Sequence, residues 1–267
     1  MRLSPPGVKE ESYWRPRWLG DHSSSNINFE TVPISALSSM QYSRALEPLI
    51  REFVIADSAL RLVQVLKANG SDGFYRVGLR LTDAPKMGIV FTSKGEDKYL
   101  VAILLTLPMG WKNSPPILFM VTETVANLSN SALCCNTPAL LHRLYYMVKS
   151  IFRAEPPTLQ QALRGLTRYL YLRWANANPS AYIDVFVDDF LGLAQEYSHQ
   201  PRQLRKTLFY TLDKVLRTCD SVDSANHKKF FLLKNIITSD CMCSTCQVLL
   251  GWVIYTVNMM LYLPPRR

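Results

Sequence analysis

The chain has 267 residues, long enough for one large domain or two lobes around a shared core. Hydrophobic residues at 48% and charged residues at 19% exclude a disordered chain. With 30 Lys and Arg against 21 Asp and Glu, the formal net charge of +9 favours a polyanion such as nucleic acid over acidic partners, evenly scattered basic charge being the plain alternative.

In chain order, residues 1–31 are rich in Pro, Ser and charge with no apolar period, and read as a loosely ordered lead-in. Charges and prolines stand there in place of the apolar run of a signal peptide, so an intracellular protein is expected. Residues 42–66 place apolar side chains three and four apart and predict a helix that gives way to a strand approaching Asn69. Gly73 to Leu81 alternates with the two-residue period of a half-buried strand, and Tyr99 to Leu107 predicts another, running into the turn at Pro108 and Gly110. A helix is expected after Pro116, and a second from Thr158, capped with Gln161, to Trp174.

From residue 142 to residue 173 the basic side chains Arg143, Lys149, Arg153, Arg164, Arg168 and Arg173 meet a single acid, Glu155. One face there is either a phosphate track or simply a solvated helix surface. Tyr182 to Leu193 reads as strand, tight turn, strand. Near the C-terminus, Cys241 to Pro265 carries no charge. A membrane span over 248–263 competes there with buried strands, and the Val, Ile and Tyr enrichment and the scattered polar residues favour strands, hence no membrane partner. Cys241, Cys243 and Cys246 lack a fourth ligand for a closed zinc site, with only His227 nearby upstream.

The chemistry rests on the adjacent carboxylates Asp188 and Asp189, set between Phe186, Val187, Phe190 and Leu191. Charge among apolar neighbours is costly unless compensated, and a hard divalent cation is the natural compensator; an ordinary exposed hairpin turn is the alternative reading of a lone Asp-Asp. Three further segments make the pattern specific. Leu107-Pro-Met-Gly-Trp-Lys-Asn-Ser-Pro-Pro116 resembles motif B of the reverse transcriptases, Phe186-Val-Asp-Asp189 resembles motif C, Ser71 to Arg76 resembles motif A, and Leu249 to Ile254 resembles motif E. The order and spacing agree over about residues 60–265, and the wording is closest to retrotransposon polymerases.

The resemblance implies an α+β fold, the palm and fingers of a reverse transcriptase over residues 32–265, with a mainly antiparallel palm sheet flanked by helices and no thumb, ribonuclease H or integrase region. It implies RNA-templated DNA synthesis, with Asp188 and Asp189 binding two Mg²⁺ or Mn²⁺ ions. Phe74, Tyr75, Arg76, Met109, Gly110 and Asn113 are implied to meet the deoxynucleoside triphosphate, Gly251 and Trp252 to grip the primer, and Lys234 to act as general acid, with Lys228 and Lys229 competing for that role. The basic run from Arg143 would hold an RNA or DNA template–primer. At one position the sequence departs from the family: the motif A aspartate maps onto Asn69. Asp72 is expected on the opposite strand face, and Asp184 on the same face as Asp188 but about 13 Å from it at ~3.3 Å per residue, so neither replaces it. The resemblance therefore implies impaired catalysis, the alternative being a non-catalytic nucleic-acid-binding remnant.

Overall fold

A computed structural model of the chain describes residues 3–4, 6–9, 17–34, 46–56, 62–70, 73–92, 99–135, 181–196, 200–216 and 242–264. The fold is α+β, helices combined with sheets that, among the described residues, are antiparallel except for one short parallel pairing. It divides into two compact units, Met1–Gln41 with Asp72–Val121, and Tyr42–Ser71 with Thr122–Arg267.

In the first unit, strand β1 (Leu3–Ser4) lies parallel to β5 (Gly88–Thr92), which pairs antiparallel with β6 (Tyr99–Ile103). Strands β2 (Pro6–Lys9) and β3 (Arg17–Gly20) form an antiparallel ribbon. The lead-in expected to be loosely ordered through residue 31 is, over residues 17–31, a strand, a turn and the short helix α1 (Ile27–Glu30). Polar contacts rather than an apolar period build it: Ser24 N–H donates to Asp21 Oδ1 at 3.0 Å, and Thr31 Oγ1 donates to the carbonyl of Ile27 at 2.7 Å. Asx and hydroxyl turns of this kind leave no hydrophobic period to read.

The expected strand from Gly73 to Leu81 is also different. Gly73–Arg76 is a single 3₁₀ turn, and only the stretch after it runs along another segment, with Leu107 N–H on the carbonyl of Val77 and Leu79 N–H on that of Leu105, both at 2.9 Å. Over so short a run, alternation does not separate a period of two from a period of three.

In the second unit, β4 (Val63–Asn69) sits inside a four-stranded antiparallel sheet ordered β7 (Ala181–Phe186), β8 (Asp189–Gln195), β4, β9 (Cys243–Ser244). Because both faces of β4 are covered, Val65 and Leu66 are adjacent yet both fully buried. On one face Val63, Val65, Leu191 and Leu193 join Leu49 and Phe53 of helix α2 (Leu46–Ile55) in a core completed by Leu249 and Ile254. A mostly apolar cavity of about 270 Å³ remains beside that core, lined among others by Leu49, Phe53, Leu193 and Met260. On the other face a Cβ added to Gly192 would stand 2.8 Å from the Leu204 side chain of helix α4 (Gln200–Val215) and 3.1 Å from Leu66 Cβ, so glycine spares both a shift.

Strands β10 (Cys246–Leu249), β11 (Trp252–Tyr255) and β12 (Met260–Tyr262) form an antiparallel meander, so residues 248–263 take the strand alternative and not a helical span. Among the described residues, helix α3 (Ser114–Cys134) is long and apolar enough to cross a membrane by length and composition. Its polar side chains Thr122, Ser129 and Asn130 are each hydrogen-bonded within the protein.

Candidate functional site

The acidic doublet lies at the tip of the β7–β8 hairpin, where Phe186 pairs with Asp189 across the two-residue turn Val187–Asp188. Phe190, fully buried immediately after, anchors the returning strand, and Asp188 and Asp189 are half-buried rather than fully enclosed. Val187 holds φ at +59°, a conformation that a β-branched residue adopts only under strain. The turn is held from α3: Thr122 Oγ1 donates to the Val187 carbonyl at 2.7 Å. Asn130, two turns further along α3, clips the edge strand by donating to the Ile183 carbonyl and accepting its N–H, both at 2.8 Å.

Against this tip runs the end of β4. Asn69 is the direct cross-strand partner of Asp189, and Gly70 N–H donates to the carbonyl of Asp188 at 3.0 Å. Directly opposed residues in an antiparallel pair share a face with Cβ atoms roughly 5 Å apart. Positions 69, 188 and 189 thus occupy one end of the sheet, Asn69 exposed and the two aspartates half-buried. The donor set is two carboxylates and a carboxamide, all oxygen, which suits a hard divalent cation with one negative charge fewer than three carboxylates. Among the described residues there is no group of three or more His, Cys, Asp or Glu that could hold a metal ion.

Asp184 sits elsewhere than the reckoning along one strand predicts. Strand β7 ends at Phe186, so Asp184 shares a face with Asp189, not with Asp188: it pairs with Leu191, one row in from Asp189. Burial pushes its carboxyl up to about 6, opposed by the N–H of Val185 and the Tyr182 hydroxyl and reinforced by Glu123. Tyr182 in turn is pushed up to about 12, by burial first and Asp184 second.

In the first unit, residues 107–114 form a turn leading into α3. Leu107 and Pro108 are buried, Met109 half-buried and Gly110 exposed with φ at +96°, a conformation suited to glycine. A Cβ there would also overlap the carbonyl oxygen of Gly20. Asn113, expected to meet a nucleotide, is buried, and its carboxamide engages the backbone of Val32 and Ile34, so it anchors the turn. Phe74, Tyr75 and Arg76 are half-buried on the 3₁₀ turn. In the second unit, Gly251 and Trp252 lie at the tip of the β10–β11 hairpin, where Leu250 and Gly251 both have positive φ, as the two-residue primed turn requires. Lys234 and the basic residues Arg143, Lys149, Arg153, Arg164, Arg168 and Arg173 lie outside the described residues, as do Asp72 and the expected helix 158–174.

Thr122 and Asn130 hold the acidic hairpin, and the sequence reading missed both. No period marks them, because the same helix also carries Glu123, Thr124, Asn127, Ser129 and Ser131, and nothing in the sequence tells which of its polar side chains meets the hairpin. No model of a known protein family matches the chain, and no curated protein matches it.

Proposed function

We propose that the chain is the palm and fingers of a retroelement reverse transcriptase, an RNA-directed DNA polymerase fold whose phosphoryl-transfer chemistry is impaired. The observation that carries this reading is the register of β4 on β8, which sets position 69 directly against Asp189 while Gly70 bonds the backbone of Asp188.

Under this reading Asp188 and Asp189, with the amide oxygen of Asn69, would hold Mg²⁺ or Mn²⁺, and such ions supply Lewis acidity and charge neutralisation to in-line displacement at phosphorus. The bond from Thr122 to the Val187 carbonyl braces the strained turn that carries the doublet, which supports carboxylates organised before a substrate arrives. The exposed Gly110 turn offers backbone to a nucleotide, and the exposed hairpin tip at Gly251 and Trp252 offers a surface to a primer. Primer extension on an RNA template with Mg²⁺ or Mn²⁺ tests the proposal. Slow extension that Asp188→Ala abolishes is the expected outcome, and extension that survives Asp188→Ala overturns the site.

A second reading, a nucleic-acid-binding remnant without turnover, is favoured by the neutral amide at Asn69 beside only two carboxylates. Template–primer binding with no extension at any divalent-ion concentration would select it.

A further inference from the structure

The turn at residues 109–112 is gripped by a segment some eighty residues earlier in the chain, and the grip is reciprocal. Asn28 Nδ2 donates to the Gly110 carbonyl and its Oδ1 accepts Lys112 N–H, both at 2.9 Å. Asn113 returns the pattern, Nδ2 donating to the Val32 carbonyl at 2.9 Å and Oδ1 accepting Ile34 N–H at 3.2 Å. Trp111 Nε1 donates to Thr31 Oγ1 at 3.0 Å, and Gly20 N–H donates to the Met109 carbonyl at 3.2 Å. Asn28 is itself fixed, its N–H on the His22 carbonyl at 3.0 Å and its Nδ2 also on Ser23 Oγ at 3.1 Å.

A carboxamide that reads one backbone acceptor and one backbone donor two residues apart does what a neighbouring strand would do, and it sets the shape of the turn between them. The turn has little regular structure of its own, and its glycine stands exposed at positive φ. Left alone, such a turn samples several conformations, and a ligand that selects one of them binds more weakly by the fraction of time the others are populated.

We propose that residues 20–34 are a positioning element for the 109–112 turn, with Asn28 its main positioning residue, and that the shape they impose is the one that receives a deoxynucleoside triphosphate. Asn28 acts through Gly110 and Lys112 and touches no substrate. This rests on the polymerase reading, and the test separates the two. The full chain is titrated first with a fluorescent RNA–DNA template–primer and then, with the primer chain-terminated, with the matching deoxynucleoside triphosphate. Thermal melting is recorded alongside.

Asn28→Ala is expected to weaken nucleotide affinity about tenfold while template–primer affinity changes less than about twofold. Asn28→Asp, which keeps the acceptor for Lys112 N–H and loses the donor to Gly110, is expected to recover part of that loss. Asp83→Asn, which removes an exposed ion pair with Lys86 outside this element, is expected to leave nucleotide affinity unchanged. Unchanged nucleotide affinity in Asn28→Ala, or equal losses for both ligands, overturns the inference, and should Asn28→Ala not fold, Asn28→Asp reads the same ratio. If the wild-type chain binds template–primer but no nucleotide, the inference falls and the remnant reading gains. If it binds neither, the polymerase reading itself falls.

Discussion

Replacing a carboxylate by a carboxamide keeps the shape of a side chain and removes one negative charge, and at Asn69 that charge would lie directly across from Asp189. Asn69→Asp is therefore expected to act in opposite senses on stability and on chemistry. Without divalent cations, like charges directly opposed on two strands should lower stability by up to about 1 kcal/mol, and millimolar Mg²⁺ should restore it; melting curves with and without Mg²⁺ check this. With Mg²⁺, primer extension should rise by about a hundredfold or more, as expected when an electrostatic term of a few kcal/mol is returned to the transition state. No Mg²⁺-dependent change in either quantity would remove position 69 from the site. Val187 offers a second test at the same scale. Its φ of +59° is costly for a β-branched residue, and glycine avoids that cost while adding backbone freedom to the unfolded chain. Val187→Gly should be neutral to about 1 kcal/mol stabilising in urea denaturation, while freeing the doublet's turn and lowering any extension activity.

The β7–β8 hairpin shows how far pattern reading reaches. Its two strands and tip were legible, because Ile183, Val185, Phe190 and Leu191 are apolar where burial demands and the doublet marks the turn. So were the apolar period of α2, which buries Leu49 and Phe53, the long helix after Pro116, and the strands from residue 246, whose Leu249, Val253 and Ile254 are buried although Met260–Tyr262 are exposed. What lay beyond reach was held by single polar side chains on backbone, such as Asn28 on 110–112 and Asn130 on Ile183, which leave no period in the sequence. The face of Asp184 was misjudged for another reason: counting along one strand does not see the fold-back at Val187. Its environment makes a prediction of definite sign. A carboxyl raised by burial from its ordinary range to about 6 is protonated in the folded chain while already ionised in the unfolded one. Folding then takes up a proton, so this group's contribution to stability is largest below about pH 4 and declines as pH rises through 6. Asp184→Asn should remove that decline and stabilise the chain near neutral pH by on the order of 1 kcal/mol, discounted because the group keeps partial solvent contact. Denaturation midpoints for both proteins between about pH 4 and pH 8 measure the difference, and parallel curves would refute it.

For the molecule as a whole, the net charge of +9 decides little until its distribution is known, because scattered charge and a phosphate track have the same sum. Salt dependence separates them. Each phosphate neutralised by Lys or Arg releases counterions, and the logarithm of affinity for duplex falls against the logarithm of salt with a slope of about −0.9 per contact. If the six basic residues from Arg143 to Arg173 act together as a track, their share of that slope is about −5, a loss of roughly a thousandfold between about 50 and 200 mM salt. Replacing the six by Gln should then flatten the slope by most of that amount, whereas the same number of Gln substitutions at Arg51, Lys86, Arg202, Arg205, Lys206 and Lys214 should flatten it much less. Fluorescence anisotropy with a labelled RNA–DNA duplex over that salt range measures both. Equal flattening by the two sets would mean that the protein meets nucleic acid through diffuse charge alone. The polymerase reading would then lose its template track, while the pairing of Asn69 with Asp189 would stand on the strand register by itself.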